Sequence, residues 1–106
     1  MAKDFDNAER FGIFEIDEQG NLLNIIESPH TFKSGLINIG VYMLNEKFFD
    51  YELVPKTTGD VEFGLPQTMA KMIKDFPIKI VKATEWFPVG YPEDIQKAEE
   101  VIDKFI

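Results

Sequence analysis

The sequence predicts an α/β domain in which a mixed β-sheet carries flanking helices. Three observations lead there. Strand-like apolar runs occur at residues 11–17, 22–27, 35–44 and 78–83, short and bounded by turn residues as strands are. Leu65, Met69, Met72, Ile73 and Phe76 follow in steps of 4, 3, 1 and 3, which places them along one side of a helix. A second helical stripe, Ile95, Ala98, Ile102 and Phe105, lies near the end of the sequence. With a short helix at residues 45–51, the order is strand, strand, strand, helix, helix, strand, helix, an order typical of layered α/β folds.

Each element has a local reason. Residues 1–10 are polar and are expected to fray, with Phe5 as their one anchor, so the folded domain is placed at residues 11–106. The first two strands flank Asp17-Glu18-Gln19-Gly20-Asn21, where Gly20 is free to take positive φ, and they form a hairpin. Ser28 to Ser34 is a loop, since Pro29 cannot donate to a central ladder. The third strand is apolar on one side at Ile37, Ile39, Val41 and Met43, and nearly so on the other, as in a sheet covered on both faces. Asn38 and Gly40 interrupt its second side. That gap either floors a ligand or clears space for a neighbouring ring. Asn45 can cap the short helix. Pro66 suits the first turn of the next helix and Pro77 stops it. Pro92 opens the last helix, with Glu93 and Asp94 at its positive end and the apolar stripe expected to be buried.

Composition narrows the function. The chain has 106 residues, 44% hydrophobic and 28% charged, with ten phenylalanines, so one globular domain is expected. Eleven basic residues against nineteen acidic ones give a formal charge of -8. That charge argues against nucleic acid and anionic membranes as partners. The absence of cysteine removes disulfides, thiol catalysis and Cys-based metal sites. No window approaches 18 apolar residues, and the start lacks the apolar stretch of a signal peptide, so a cytoplasmic protein is expected.

Candidate chemistry is sparse. Glu27 ends a strand and can either point into a cleft, where it would accept two sugar hydroxyls, or lie on the surface. His30 is the only histidine and has no nucleophile at a catalytic spacing. No metal-binding spacing and no glycine-rich phosphate loop is present. Asp60 or Glu62 can cap the helix that follows or position a neighbouring loop. Trp86-Phe87-Pro88-Val89-Gly90 is an aromatic cluster, suited to core packing or to stacking on a base or sugar.

Six segments occur in one order: residues 10–17, Gly20-Asn21, Ile26-Glu27-Ser28-Pro29, Asn38-Ile39-Gly40-Val41-Tyr42, residues 59–65, and Trp86 through Asp94. This series resembles the C-terminal half of the sugar-1-phosphate nucleotidylyltransferases, from about Arg10 to Phe105. Phe63-Gly64-Leu65-Pro66-Gln67-Thr68 is similar to the uridylyltransferase-type members. The resemblance implies the C-terminal part of the nucleotide-diphospho-sugar transferase fold. It also implies a reaction that joins a sugar 1-phosphate to a nucleoside triphosphate and releases pyrophosphate. It makes Glu27 the glutamate that hydrogen-bonds sugar hydroxyls, and Asn38 and Gly40 the floor of the sugar pocket. Glu62 matches an acidic position near the sugar, and Gly90 a family glycine.

Two departures matter. The family lysine that meets the sugar phosphate is Ser28 here, and the family aspartate that helps hold magnesium is Pro88. The glycine-rich triphosphate loop of the family's N-terminal half is absent from these residues. The resemblance therefore implies no catalytic residue and no cofactor in this chain, with Mg2+, sugar phosphate and nucleotide bound only in an intact transferase. The isolated chain is expected to be inactive. The alternative is a stand-alone interaction or regulatory domain derived from that fold. Removing the rest of the fold would expose apolar surface, so a homo-oligomer is expected.

Overall fold

The computed structural model describes residues 1–57, 59 and 61–106. A four-stranded sheet is the centre of the molecule. Its strands are β1 (Ala2–Phe5), β2 (Ile13–Ile16), β3 (Leu22–Ile26) and β4 (Gly35–Asn38), in the spatial order β1-β4-β2-β3. All pairings between these strands are antiparallel. The parallel component of the expected mixed sheet is one bridge between Ala2 and Lys82. Two helices complete the α/β arrangement: α1 (Leu65–Met72) and α2 (Pro92–Val101), the second continued by a 3₁₀ turn at Ile102–Phe105.

The first ten residues do not fray. β1 pairs with β4 from Ala2↔Asn38 to Phe5↔Gly35. The Ala2 amide donates to Val81 O at 2.9 Å, and the Ala83 amide donates back to Ala2 O at 2.7 Å. Ala2 and Ala8 are fully buried. A polar stretch can still hold a strand when small residues face the core, because the backbone supplies the hydrogen bonds. Phe5 anchors it as expected, meeting Phe11 and Trp86 edge-on with centroids 5.7 and 5.6 Å away.

The predicted hairpin is present as β2 and β3. Asp17 Oδ1 accepts from the amides of Gln19 and Asn21 at 2.9 and 2.8 Å. Gly20 has φ +84°. Two apolar clusters lie on this sheet, one around Phe14, Leu22, Leu36 and Ile80, the other around Ile13, Ile37 and Ala8. A third, of Phe48, Met69 and Met72, joins α1 to a 3₁₀ turn at Glu46–Asp50. Asn45 caps that turn by accepting from the Lys47 amide at 3.0 Å.

Four further expectations change. The strand expected over residues 35–44 stops at Asn38. Asn38 Oδ1 captures the Gly40 amide at 2.9 Å and Gly40 turns to φ +79°, which breaks the ladder. Residues 78–83 run extended but bridge twice to different partners, Lys79 to Asn21 and Lys82 to Ala2, so no continuous strand forms. Glu62 does not cap α1, whose N-cap is Gly64, and Asp60 lies outside the described residues. The apolar stripe of the last helix is not buried either. Ala98, Ile102 and Phe105 line a groove of about 350 Å³ with Trp86, Phe87 and Val89, and Ile95 and Ile102 stay more than half exposed. No helix among the described residues is long and apolar enough to cross a membrane.

Candidate functional site

The sheet register builds the site. Ile13 sits opposite Ile26 on one side and opposite Ile37 on the other. One residue earlier, Gly12 therefore lies between Glu27 and Asn38, where three strand ends meet. The Asn38 amide donates to Gly12 O at 2.8 Å. A Cβ on Gly12 would stand 3.2 Å from Glu27 Oε1. The missing side chain is what lets the Glu27 carboxylate lie against the backbone.

Asn38 is held at both ends of its amide. Its Oδ1 accepts from Gly40 and its Nδ2 donates to Tyr42 Oη at 2.6 Å. Tyr42 is half-buried. Burial pushes its phenol above the usual 10, the Asn38 hydrogen bond opposes that shift, and the nearby Glu27 charge adds to it. The phenol is therefore neutral near pH 7. Because it accepts from Asn38, its own O–H is left to donate elsewhere. The structure thus brings Glu27 and Asn38 together. Gly40 serves the turn that orients Asn38 and has open space where a side chain would be, so it does not clear room for a neighbouring ring.

Beside Glu27 lies a cavity of about 470 Å³ lined by Glu27, Ser28, Lys56, Thr57, Pro66 and Gln67. Glu62 is not part of its lining. Its Oε1 is 2.6 Å from Lys56 Nζ, so it meets the cavity through that lysine. Gln67 Oε1 is buried with no hydrogen-bond partner. It folds over Gly64, where a Cβ would overlap it at 1.6 Å. The cavity combines a carboxylate, an ammonium, two hydroxyls and an amide, a set suited to a polyhydroxylated ligand.

Other candidates have structural partners. His30 Nδ1 accepts from the Phe32 amide at 3.1 Å, which leaves Nε2–H to donate to Phe11 O at 2.7 Å. Both ring nitrogens are engaged with backbone, so His30 is a loop clasp. Trp86 packs on Phe5 and Phe11 beside the Ile13–Ile37 cluster, which is core packing. Lys33 is not among the residues lining the cavity.

The residues do not fit a magnesium site. Pro88, at the position of the family aspartate, offers no side-chain donor and shares a surface pocket with the cation Arg10. The nearby Asp94 carboxylate accepts from the Gly90 and Tyr91 amides, both at 3.0 Å. Among the described residues, no three His, Asp or Glu side chains converge as metal ligands.

Gly12, Tyr42, Lys56 and Gln67 carried no assigned role from sequence. Gly12 had a usable signal, since a glycine one residue before a hairpin strand marks a close approach. Lys56 and Gln67 had none, because their meeting with Glu27 depends on tertiary contacts.

A family model described as "Nucleotidyl transferase" matches residues 1–104. The Bifunctional protein GlmU of Methanococcus aeolicus is 36% identical over 104 residues, 95% of this chain and 25% of that protein. GlmU of Methanocaldococcus jannaschii is 33% identical over 105 residues, 97% of this chain and 26% of that protein. A Bifunctional sugar-1-phosphate nucleotidylyltransferase/acetyltransferase of Sulfurisphaera tokodaii is 34% identical over 97 residues, 92% of this chain and 23% of that protein. The chain spans about a quarter of the length of these relatives.

Proposed function

The chain belongs to the nucleotidyl transferase family, and from that premise we propose that it forms the sugar-binding part of a sugar-1-phosphate nucleotidylyltransferase. The observation that carries this reading is the Glu27 carboxylate seated against Gly12, beside the Asn38–Tyr42 pair. A carboxylate accepts two vicinal hydroxyls, and a phenol O–H and backbone groups complete the recognition of a sugar edge. In the reaction, an oxygen of the sugar 1-phosphate attacks the α-phosphorus of a nucleoside triphosphate. The bond from that phosphorus to the β-phosphate oxygen breaks, and pyrophosphate leaves.

These residues hold and orient the sugar, which lowers the entropic part of the barrier. They do not neutralise the triphosphate. A chain of net charge -8 without a phosphate loop repels it, so the nucleotide and any Mg2+ belong to residues outside these 106. The isolated chain binds sugar phosphate weakly and catalyses nothing.

The test is an amide NMR titration of the 106-residue chain with glucose 1-phosphate. Shifts are expected at Gly12, Glu27, Asn38 and Gly40. Glu27→Gln should weaken binding about tenfold, as expected for loss of charge-assisted hydrogen bonds. Absence of shifts at these residues, or an unchanged affinity in Glu27→Gln, overturns the reading.

A further inference from the structure

We infer that Lys56 is the phosphate-recognising cation of the cavity beside Glu27, in place of any cation on the loop after β3. The inference rests on the sugar-site reading above and adds to it the residue that selects the phosphorylated sugar. Three observations carry it.

Charge comes first. Among the described residues lining that cavity, Lys56 is the only cation and Glu27 the only carboxylate. A phosphate entering there meets the Glu27 charge, and it binds only if a positive group offsets the repulsion. Ser28, the residue after Glu27, supplies a hydroxyl and no charge. Lys56 supplies it from another element.

Support comes second. Lys56 does not sit on a loose loop. Its amide donates to Glu62 O at 2.9 Å, Pro55 bridges Phe63, and the Gly64 amide donates to Val54 O at 2.9 Å. Thr68, fully buried at the start of α1, pins this small hairpin to the helix. Its hydroxyl accepts from the Val54 amide at 3.1 Å and donates to Gly64 O at 3.0 Å. The Lys56 side chain is thus presented from a fixed backbone. Its contact with Glu62, 2.6 Å between exposed groups, is of the weakly held kind. The ammonium can move a hydrogen bond to an incoming phosphate, with Glu62 as one of its resting partners.

The third observation is the polar company of the ammonium: Ser28, Thr57 and Gln67 line the same cavity. A ligand carrying both hydroxyls and a phosphate fits the ammonium and these hydrogen-bonding side chains together.

The experiment compares glucose 1-phosphate with methyl α-glucoside by NMR titration, on the native chain, Lys56→Met and Lys56→Arg. The native chain is expected to prefer glucose 1-phosphate by about tenfold, the range of one charge-assisted hydrogen bond. Lys56→Met should bring the two ligands within about twofold of each other, and Lys56→Arg should retain most of the preference. An undisturbed amide spectrum for the free variants separates this from misfolding. A preference that persists in Lys56→Met overturns the role of Lys56 and leaves the sugar site standing. No binding of either sugar at Gly12, Glu27 and Asn38 in the native chain overturns both.

Discussion

The strands of the sheet and the last helix both carry apolar residues at the proper period, and of these two stretches only the first buries them. In the sheet, Ile37 is fully buried and Leu22 is 2% exposed. On α2 and its 3₁₀ continuation, Ile102 is 51% exposed and Phe105 47%. The stripes look alike in sequence. They differ in what stands opposite. β4 lies between β1 and β2, with Ile13 and Ala8 packed against Ile37. The α2 stripe faces an open groove. Amphipathic period identifies the side of an element that seeks cover, and the surrounding fold decides whether cover is there.

The largest effect that probes this contrast is Ile37→Ala. Ile37 is packed on all sides at the only ladder position shared by β2 and β4. Removing its side chain leaves a closed cavity, and the expected loss is about 2–5 kcal/mol. Urea denaturation followed by circular dichroism measures it through the shift in midpoint. The same substitution should also weaken the sugar site, because Ile37 precedes Asn38 in the strand that positions it.

That contrast explains which parts of the molecule were legible in the sequence. The β2–β3 hairpin was, because Asp17 and Gly20 carry their own turn chemistry and the pattern on either side is local. The start and stripe of α1 were, because Pro66 and the spacing of Leu65, Met69 and Met72 agree, although the helix ends at Met72, well short of the expected stop at Pro77. β1 was not. Ala2-Lys3-Asp4-Phe5 has no apolar pattern, and its pairing with β4 and with Val81 and Ala83 spans long sequence separations. The end of β4 was hidden for the opposite reason. Its apolar pattern continues to Leu44, and a single side chain, Asn38, overrides it by taking the Gly40 amide. At the site, Glu27 and Asn38 were visible as residues at a strand end and in a strand. Lys56 and Gln67 were invisible, since only the docking of the hairpin on α1 brings them to the same cavity.

A smaller effect sharpens the comparison at the start of α2. This helix lacks a buried stripe, so its capping interactions hold a larger share of its stability. The Gly90 amide, then the Tyr91 amide, hydrogen-bond the Asp94 carboxylate and hold its pKa below the usual value. A carboxyl whose folded pKa lies below its unfolded value, about 3.9, stabilises the fold above that value. The stabilisation is lost as pH falls through the folded pKa. The helix should therefore loosen below about pH 4. Asp94→Asn keeps an acceptor oxygen and removes the charge, so it should lower stability at neutral pH and flatten the acid limb. Helical ellipticity followed from pH 5 to pH 2 measures both, and an acid limb of unchanged slope in Asp94→Asn would remove the cap from the account.

The smallest effect is expected at Ile102→Ala, and its smallness is the point. Half of this side chain is already in water, so truncation forfeits only part of the transfer free energy. The groove it faces is open, so no sealed cavity is left and the cavity term that raises the loss at Ile37 is absent. The expected loss is about 1 kcal/mol or less. Both isoleucines lose the same atoms, so the difference between the two losses reflects chiefly burial and the cavity left behind. If Ile102→Ala costs as much as Ile37→Ala in the same urea experiment, the stripe is covered in solution and the two regions are alike after all. If the costs separate as expected, α2 carries an apolar surface that the fold of these 106 residues does not use.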